Sequence, residues 1–394
     1  MAAPTGTPDQ PWDLVVVGAG PAGATAAIAA RHARPEARVL LLDRSDFPRD
    51  KACGDGIAPH VLDVLDRFGL GDVVDDWAPV PDLELARGDL LTRGTMRRPA
   101  RVVPRAVFDA RLVDAACDAG AQLRRHRVRH VEPHQDGVVL DDTIHAKVVI
   151  GADGASSVVR RQLGRPPARR RALAIRGYAP TRRDHDGLQV IRFGQRRQPS
   201  YAWAFDRGDG LSNIGYGELV QPGADLTRAV MLDRLDELLP GVAQDAADWR
   251  GHHLPLSEAR WHQPDGPVLL VGDAAGLINP MTGEGIYYAV ATGALAGAVA
   301  AVSAPGAAGE RHRILVRRLL ARHLLSTTIG SRLAERPGVL DGGLRAATAD
   351  QRVFDDLVEM GLGRGVLTPR VLAGLARSVR PFARRGPTLH VPAG

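Results

Sequence analysis

The sequence predicts an α/β protein built from a parallel sheet, an inserted, mainly antiparallel β-sheet domain and a C-terminal helical region. Three observations support this prediction. A glycine-rich turn at residues 18–23 joins an apolar strand to an alanine-rich helix. Four runs between residues 172 and 219 alternate in the two-residue period of strands. From Glu310 onward, leucines and isoleucines recur at helical spacing between arginines.

The first element of the chain is a nucleotide-binding unit. Asp13–Val17 predicts a short buried parallel strand, and the segment GAGPAG follows it. In this pattern Gly18 permits a tight turn, Gly20 lets the backbone approach a pyrophosphate, and Gly23 lets the helix pack on the strand. A second strand follows and ends in Asp43, where an acceptor for a ribose hydroxyl belongs. These features predict a Rossmann-like unit that binds a dinucleotide.

Two later segments extend this unit. Lys147–Gly154 is a strand that runs into Gly-Ala-Asp-Gly, and Pro267–Gly285 is a strand with an aspartate at its carboxyl end and a loop before a helix. Ligands of open parallel sheets bind at the carboxyl ends of strands, so Asp273 is predicted to hold a ribityl or ribose hydroxyl. The backbone NH groups of residues 282–286 lie at a predicted helix N-terminus, where they would stabilise a negative flavin ring.

The three motifs GAGPAG, GADGASSVVR and VGDAAGLINPMTGEGI together resemble the FAD-dependent enzymes with the p-hydroxybenzoate hydroxylase type of fold. The segment PRAVFDARLVDAA is also similar to a helix of that group whose arginine, here Arg105, approaches the cofactor. The resemblance implies FAD, with NAD(P)H as a candidate electron donor although no second glycine motif is present. The predicted FAD contacts are Gly18, Gly20, Pro21, Ala22, Gly23, Asp43, Arg44, Cys53, Gly54, Asp55, Gly56, Arg105, Asp153, Gly272, Asp273, Pro280, Gly283, Glu284, Gly285 and Ile286.

The loop Phe47–Ile57 indicates which family within this fold the sequence resembles. Its sequence, FPRDKACGDGI, is similar to the Pro-Arg-x-Lys-x-Cys-Gly pattern of the geranylgeranyl reductase family. Further likenesses to that family lie at Tyr201–Gly217 and Phe354–Leu375. One residue departs from it: Asp206 stands where a proline usually follows the Trp-x-Phe unit, which puts the shape of the substrate cavity in question. The resemblance implies reduction of carbon–carbon double bonds in a prenyl chain.

Cys53 is the candidate for chemistry in this loop. The nearby Lys51 and Arg49 predict a lowered pKa of its thiol, which could donate the proton that alkene reduction requires. Alternatively, Cys53 is a small residue packed at the flavin edge, and the sequence leaves both interpretations open. The other cysteine, Cys117, is expected to lie in the core.

The inserted sheet supplies the predicted substrate wall. By the two-residue period, Tyr201, Trp203 and Phe205 share one face, near Arg176 and Tyr178. Tyr201 and Trp203 join Cys53 as catalytic candidates. An aromatic wall suits a prenyl chain, but plain sheet packing gives the same pattern. The predicted domains are residues 10–76, 100–168 and 260–305 for FAD binding, 77–99 and 169–259 for the substrate sheet, and 306–394 for the helical region.

Composition limits the partners and the location of the protein. The net charge is +6, but no basic stripe is interleaved with aromatic residues, so nucleic acid is not expected. The thirteen histidines show no metal-ligand spacing, and no metal is predicted. No signal peptide or transmembrane segment is recognisable, which predicts a cytoplasmic protein. The basic amphipathic segment after Glu310 leaves two alternatives open, a helical cap and a peripheral membrane contact.

Two functions follow from the resemblance. The first is an FAD-dependent oxidoreductase that reduces carbon–carbon double bonds of a hydrophobic, prenyl or isoprenoid substrate. The alternative is an FAD-dependent monooxygenase that hydroxylates or epoxidises an aromatic or polyketide secondary metabolite, because the fold is shared and Asp206 departs from the reductase pattern. Oxygen separates the two, since only the monooxygenase requires it.

Overall fold

The computed structural model describes residues 10–378 except 135, 224 and 260, and except the side chain of Pro337. Residues 1–9, which enter the signal-peptide prediction, and residues 379–394 of the predicted helical region lie outside the described residues. The strands are β1 (Trp12–Val17), β2 (Val39–Asp43), β3 (Gly56–Ile57), β4 (Pro79–Arg87), β5 (Leu90–Val102), β6 (Gln122–Arg125), β7 (Val131–His134), β8 (Gly137–Leu140), β9 (Ile144–Gly151), β10 (Arg171–Pro180), β11 (Leu188–Phe193), β12 (Ser200–Asp206), β13 (Leu211–Leu219), β14 (Ala247–Pro255) and β15 (Val268–Leu270). The helices are α1 (Pro21–Ala33), α2 (Pro59–Leu65), α3 (Arg105–Asp118), α4 (Val158–Gln162), α5 (Arg228–Leu238), α6 (Ile286–Val302), α7 (Pro305–Ala334), α8 (Pro337–Ala349), α9 (Gln351–Leu362) and α10 (Pro369–Ser378).

The first sheet is parallel through β6, β2, β1 and β9, with β15 parallel to the carboxyl half of β9. The strands β8 and β7 continue it as an antiparallel extension. Both faces of β1 are covered. Leu14 and Val16 join the core under α1, α3 and α6, whereas Val15 and Val17 join the core on the opposite face. Burial on both faces explains why the sequence of β1 is a continuous apolar run rather than an alternation.

The second sheet has the order β14-β10-β13-β12-β11-β4-β5-β3, and its described pairs are antiparallel except for the parallel pair β11–β4. One face packs on α5, where Met231 and Leu235 contact the core that includes Ala202 and Ala204. The other face points toward the first sheet. Its register places side chains from neighbouring strands in rows, one of which is Tyr178, Asn213, Phe205, Gln189 and Leu83.

The C-terminal helices cover the rest of the molecule. Helix α7 packs along α6, and α8–α10 form a small cluster against β4 and β5. Phe354 of α9 is buried there with Leu83, Met96 and Ala100. The end of the chain as described is therefore helical, as the leucine spacing predicts.

The predicted fold class is confirmed. Strand β1 begins at Trp12, one residue before the predicted start at Asp13. Strand β2 begins at Val39, one residue after Arg38, where the sequence predicts its start. Strands β6 and β14 give no clear sequence signal, because both are short of apolar residues: β6 reads QLRR and is exposed throughout. The chain passes from the first sheet into β3–β5, returns at α3, leaves again at β10 and returns at β15. The predicted domain boundaries remain predictions.

Candidate active site

A cavity of about 960 Å³ lies between the two sheets, at the carboxyl ends of β1, β2, β9 and β15. Its volume is near the top of the range of about 300–1,000 Å³ that is usual for small-molecule sites. Gly23, Gly272 and Pro280 do not line this cavity. The predicted site residues that do line it are Gly18, Gly20, Pro21, Ala22, Asp43, Arg44, Cys53, Gly54, Asp55, Gly56, Arg105, Asp153, Tyr201, Trp203, Asp273, Gly283, Glu284, Gly285 and Ile286.

The glycine-rich turn forms one end of the cavity. Gly18 has φ +100°, and a Cβ there would lie 2.4 Å from the carbonyl oxygen of Ala152, so only glycine fits. A Cβ at Gly23 would lie 1.8 Å from the carbonyl oxygen of Gly18, in keeping with its predicted packing role behind the cavity wall. Asp43 accepts hydrogen bonds from the backbone N of Ala19, at 2.9 Å, and of Ser45, at 3.0 Å. The carboxylate of Asp43 thus fixes the turn as well as lining the cavity.

The groups around this turn fit FAD. A Cβ at Gly20 would lie 3.3 Å from Nη2 of Arg49 and 3.9 Å from Nη2 of Arg105, so two guanidinium groups stand at the N-terminus of α1. Cations and a helix N-terminus together attract a pyrophosphate. Asp153 accepts a hydrogen bond from the backbone N of Val158 at 2.6 Å through one oxygen. Its other oxygen is buried without a partner among the described residues, which suits a hydroxyl of the cofactor.

Asp273 forms an ion pair across the cavity. Nζ of Lys51 lies 2.9 Å from Oδ2 of Asp273, and Nε2 of His252 lies 3.9 Å from the same oxygen. Burial acts to raise the pKa of Asp273, but the charge and hydrogen bond of Lys51, together with the nearby His252 and Arg105, outweigh it and the pKa is lowered. Burial lowers the pKa of His252 to about 4, so this imidazole is neutral near pH 7. Lys51 therefore stabilises the ionised form of Asp273, and nothing in the sequence predicts this ion pair.

The prediction of a lowered pKa for the Cys53 thiol is wrong. Burial raises its pKa, and the nearby Arg105 only partly opposes this. Lys51 is paired with Asp273, and Arg49 lies 3.5 Å from carboxylate oxygens of both Asp43 and Asp109. The thiol of Cys53 is consequently protonated near pH 7. The expectation for the other cysteine is also wrong, because Cys117 is exposed.

Two charged groups lie near the thiol. Arg105 is buried and forms two hydrogen bonds to Asp109, at 2.6 and 2.7 Å. Burial acts against its charge, but Asp109 raises the pKa of Arg105 above its ordinary value. Glu284 accepts a hydrogen bond from the backbone N of Tyr287 at 2.8 Å, and burial raises its pKa to about 7. The loop before α6 thus holds a carboxyl group whose charge changes near neutral pH.

The aromatic residues of β12 stand opposite the cysteine loop. The ring centroids of Tyr201 and Trp203 are 6.0 Å apart, and those of Trp203 and Phe205 are 6.4 Å apart. A Cβ at Gly54 would lie 3.3 Å from the ring of Phe205. A Cβ at Gly215 would lie 2.3 Å from the indole of Trp203, so the ring rests on bare backbone. These rings line the cavity with Arg176, whereas Tyr178, expected beside them, does not line it.

Asn213 connects the two sides of the cavity, and the sequence does not single it out. Its Oδ1 accepts a hydrogen bond from Nε1 of Trp203 at 2.8 Å. Its Nδ2 donates to the carbonyl oxygen of Cys53 and to Oδ2 of Asp55, both at 2.8 Å. One buried amide therefore fixes the cysteine loop relative to the aromatic wall. Only the sheet register, which places Asn213 beside Phe205, would have identified it.

Asp55 combines a strained backbone with a buried carboxyl group. Its φ is +59°, in the left-handed region that favours glycine, and its side chain is fully buried. Tyr178 donates its hydroxyl to Oδ2 at 2.5 Å, whereas Oδ1 has no partner among the described residues. Burial raises the pKa of Asp55 to about 6, against the charge of Arg176. Such strain and burial are typical of functional positions.

Asp206, the departure from the family pattern, does not line the cavity. Its carboxylate accepts hydrogen bonds from the backbone N of Gly187, at 2.7 Å, and of Gly208, at 3.0 Å, and from the hydroxyl of Thr181 at 3.1 Å. The residue fixes the end of β12 and contributes no atom to the cavity wall, so the question that it raises about cavity shape does not concern a direct contact.

Two general properties can be stated for the described part of the chain. No helix there combines the length and apolar character needed to cross a bilayer. Within the same residues, no group of three or more His, Cys, Asp or Glu side chains is arranged to hold a metal ion.

Comparison with known proteins agrees with this geometry. A family model described as FAD binding domain matches residues 12–188. The chain is 35% identical over 309 residues to menaquinone reductase of Mycolicibacterium smegmatis, covering 72% of this chain and 75% of the relative. It is 33% identical over 316 residues to digeranylgeranylglycerophospholipid reductase 1 of Methanopyrus kandleri, covering 73% and 80%.

The fold has a solved counterpart. A geranylgeranyl bacteriochlorophyll reductase-like protein from Thermoplasma acidophilum superposes with a TM-score of 0.72 at 20% identity, covering 94% of this chain and 96% of that one. That likeness supports the fold, and the curated relatives support the family. The chain belongs to the geranylgeranyl reductase family of FAD-dependent oxidoreductases.

Proposed function

We propose that this protein reduces carbon–carbon double bonds in the prenyl chain of a lipid or quinone. The observation that carries the proposal is the position of the aromatic wall, Tyr201, Trp203 and Phe205, directly opposite the Cys53 loop in the cavity that contains the nucleotide-binding turn. An aromatic wall in the same cavity as a protonated thiol suits an alkene that must receive a proton. The curated relatives, named as reductases of menaquinone and of a geranylgeranyl lipid, support the same substrate class.

The protein would hold FAD through the turn at Gly18–Gly23, Asp43, Asp153 and the loop before α6. When bound and reduced, FAD supplies the hydride that one alkene carbon receives. The chain itself must supply the proton for the other carbon. Cys53 is the proposed donor, because its raised pKa keeps the thiol protonated and the amide of Asn213 holds its backbone. The resulting thiolate lies beside Arg105, whose charge stabilises it until a proton returns.

The aromatic wall has a positioning role in this proposal. Tyr201 donates its hydroxyl to the carbonyl oxygen of Thr282, so the wall is joined to the loop before α6. Trp203 is fixed by Asn213, and its ring rests on Gly215. These contacts would press the prenyl chain toward the cofactor and keep water out, which raises the fraction of productive encounters.

The test uses FAD-loaded protein that is chemically reduced without oxygen and mixed with a geranylgeranyl lipid or a prenylated quinone. Mass spectrometry should detect hydrogens added in pairs to at least one substrate. A parallel reaction with NADH or NADPH in place of the chemical reductant tests the proposed nicotinamide donor. Absence of any mass gain, together with oxygen consumption stimulated by an aromatic compound, would instead establish the monooxygenase.

Cys53→Ala tests the proton donor separately. We expect its rate of alkene reduction to fall about a hundredfold, which is the lower end of the usual contribution of general acid catalysis. Cys117→Ala is the matched control, since that thiol is exposed and does not line the cavity, and it should keep the wild-type rate. Full turnover by Cys53→Ala would remove the donor role but leave the reductase assignment intact.

A further inference from the structure

Helix α7 carries an unusual exposed surface. The exposed residues between positions 311 and 332 are five arginines and four aliphatic residues, with no acidic side chain among them. Their spacing of three and four residues places them on one side of the helix. We call this surface the arginine–aliphatic face; it consists of Arg311, Ile314, Arg317, Arg318, Ala321, Arg322, Leu325, Ile329 and Arg332.

The opposite side of α7 accounts for its packing. His312, Val316, Leu320 and Leu324 are buried against the rest of the protein. The aliphatic members of the exposed face are not needed for that packing: the exposed fractions are 41% for Ile314, 51% for Leu325 and 42% for Ile329. A helix that only caps the domain does not need aliphatic residues at these three positions.

The arginines of this face are not neutralised within the described structure. None of the five forms an ion pair with a described residue: the ion pair of α7 with Asp265 is formed by Arg313, which is not part of the face, and Arg311 donates a hydrogen bond to the hydroxyl of Ser303. No Asp or Glu lies between Glu310 and Glu335 in the sequence. The face is therefore both cationic and aliphatic, a combination that complements an anionic lipid surface. Arginine heads can contact phosphates while the aliphatic side chains enter the acyl region.

We propose that the arginine–aliphatic face docks the protein on an anionic membrane surface. Other occupants fit less well. A second copy of α7 would place arginines against arginines. Nucleic acid would pair with the arginines but leave Ile314, Leu325 and Ile329 against a phosphate backbone. The sequence of residues 379–394 adds three arginines and no acidic side chain, so its charge does not complement the face.

The position of α7 gives this docking a consequence. The hydroxyl of Ser331 donates to the carbonyl oxygen of Pro280 at 2.9 Å, and Gly330 lies against Met281. The end of α7 thus contacts the loop that lines the cavity before α6. A membrane bound at the exposed side of this helix would lie one helix diameter, about 10 Å, from that loop. The inference does not depend on the proposed reaction.

The experiment is flotation of the full-length protein with vesicles of phosphatidylcholine, alone or with part of the lipid replaced by phosphatidylglycerol. We expect binding only to the anionic vesicles, and less of it at high salt. Arg318→Gln with Arg322→Gln should weaken binding about thirtyfold, because each cation near an anionic surface contributes roughly a factor of five. Leu325→Gln with Ile329→Gln should also weaken it at least tenfold, since both aliphatic contacts are lost.

The matched control is Leu91→Gln with Leu123→Gln, which replaces exposed apolar residues outside α7 and should leave binding unchanged. Circular dichroism checks that every variant is folded. The proposal is overturned if the protein ignores anionic vesicles, or if the control weakens binding as much as the α7 variants. It is equally overturned if duplex DNA competes with the vesicles and only the arginine variant weakens binding. A dimer that is seen by sedimentation and is dissociated by Leu325→Gln with Ile329→Gln would also overturn it.

Discussion

The carboxyl group of Asp55 shows how single residues in this protein are set by distant partners. Only Gly54 separates it from Cys53, yet its hydrogen bonds come from Tyr178 and Asn213 of the second sheet. These bonds hold the side chain of a residue whose backbone is strained at a non-glycine position. Asn213 then extends the same contact to Trp203. The geometry of the cysteine loop therefore depends on the second sheet.

The ionisation of Asp55 gives a residue-scale prediction. Folding raises the pKa of Asp55 from 3.8 to about 6. The contribution of this carboxyl group to stability is therefore fully present below pH 3.8, and it is lost as the pH rises through about 6. Asp55→Asn keeps an oxygen for Tyr178 and Asn213 and tolerates positive φ. Relative to wild type, the free energy of unfolding of this variant should therefore rise by about 2.5 kcal/mol between pH 4 and pH 8. Denaturant titrations across that range measure it.

Asp273→Asn is the control, because its free energy of unfolding relative to wild type should change with pH in the opposite direction. The pKa of Asp273 is lowered when the protein folds, so its ionised form adds stability that is present above its ordinary pKa and lost as the pH falls. Asp273→Asn should thus lose stability relative to wild type at neutral pH. If both variants responded to pH in the same direction, the burial of Asp55 would not be the cause of its effect.

At the scale of elements, the contact between α1 and α6 decides how the nucleotide-binding turn is supported. Helix α6 is rich in small residues, a feature visible in the sequence as GALAGAVAAV. A Cβ at Gly293 would lie 2.2 Å from the carbonyl oxygen of Ala22, and one at Gly297 would lie 2.0 Å from that of Ala26. The two helices therefore touch through their backbones, and the start of α1 is held at the cavity.

Gly297→Ala tests this contact. The added methyl group meets backbone atoms that cannot move aside, so we expect the free energy of unfolding to fall by about 3 kcal/mol. Gly306→Ala is the matched substitution at the start of α7, where no atom lies within 4 Å of the added carbon. It should instead raise stability by about 0.5 kcal/mol through lower chain entropy in the unfolded state. Equal effects of the two substitutions would contradict a close contact between α1 and α6.

For the whole molecule, the sequence best predicts those features that depend on residues close to one another along the chain. The roles of Gly18 and Gly23 follow from a strand–turn–helix pattern, and Asp43 and Asp273 follow from their places after strands. The pairing of Lys51 with Asp273 and the contacts of Asn213 depend on the way two sheets face each other, which no local pattern encodes. The same cause explains why the predicted pKa shift of Cys53 is wrong. Arg49 and Lys51, which are close to Cys53 in the sequence, form ion pairs with the carboxylates of Asp43, Asp109 and Asp273 in the fold.

The last prediction concerns the whole cavity, because its lining comes from remote parts of the chain. If FAD fills the space between the sheets, its binding should slow amide hydrogen exchange simultaneously in residues 18–23, 49–56 and 282–286, since all three segments line the cavity. Mass spectrometry of FAD-free and FAD-loaded protein measures this. Helix α5 serves as the internal control, because it packs on the outer face of the second sheet and should show no change beyond any global stabilisation. Protection of residues 18–23 without protection of 49–56 would mean that FAD binds the turn but does not reach the Cys53 loop, and the proposed chemistry at Cys53 would then lose its basis.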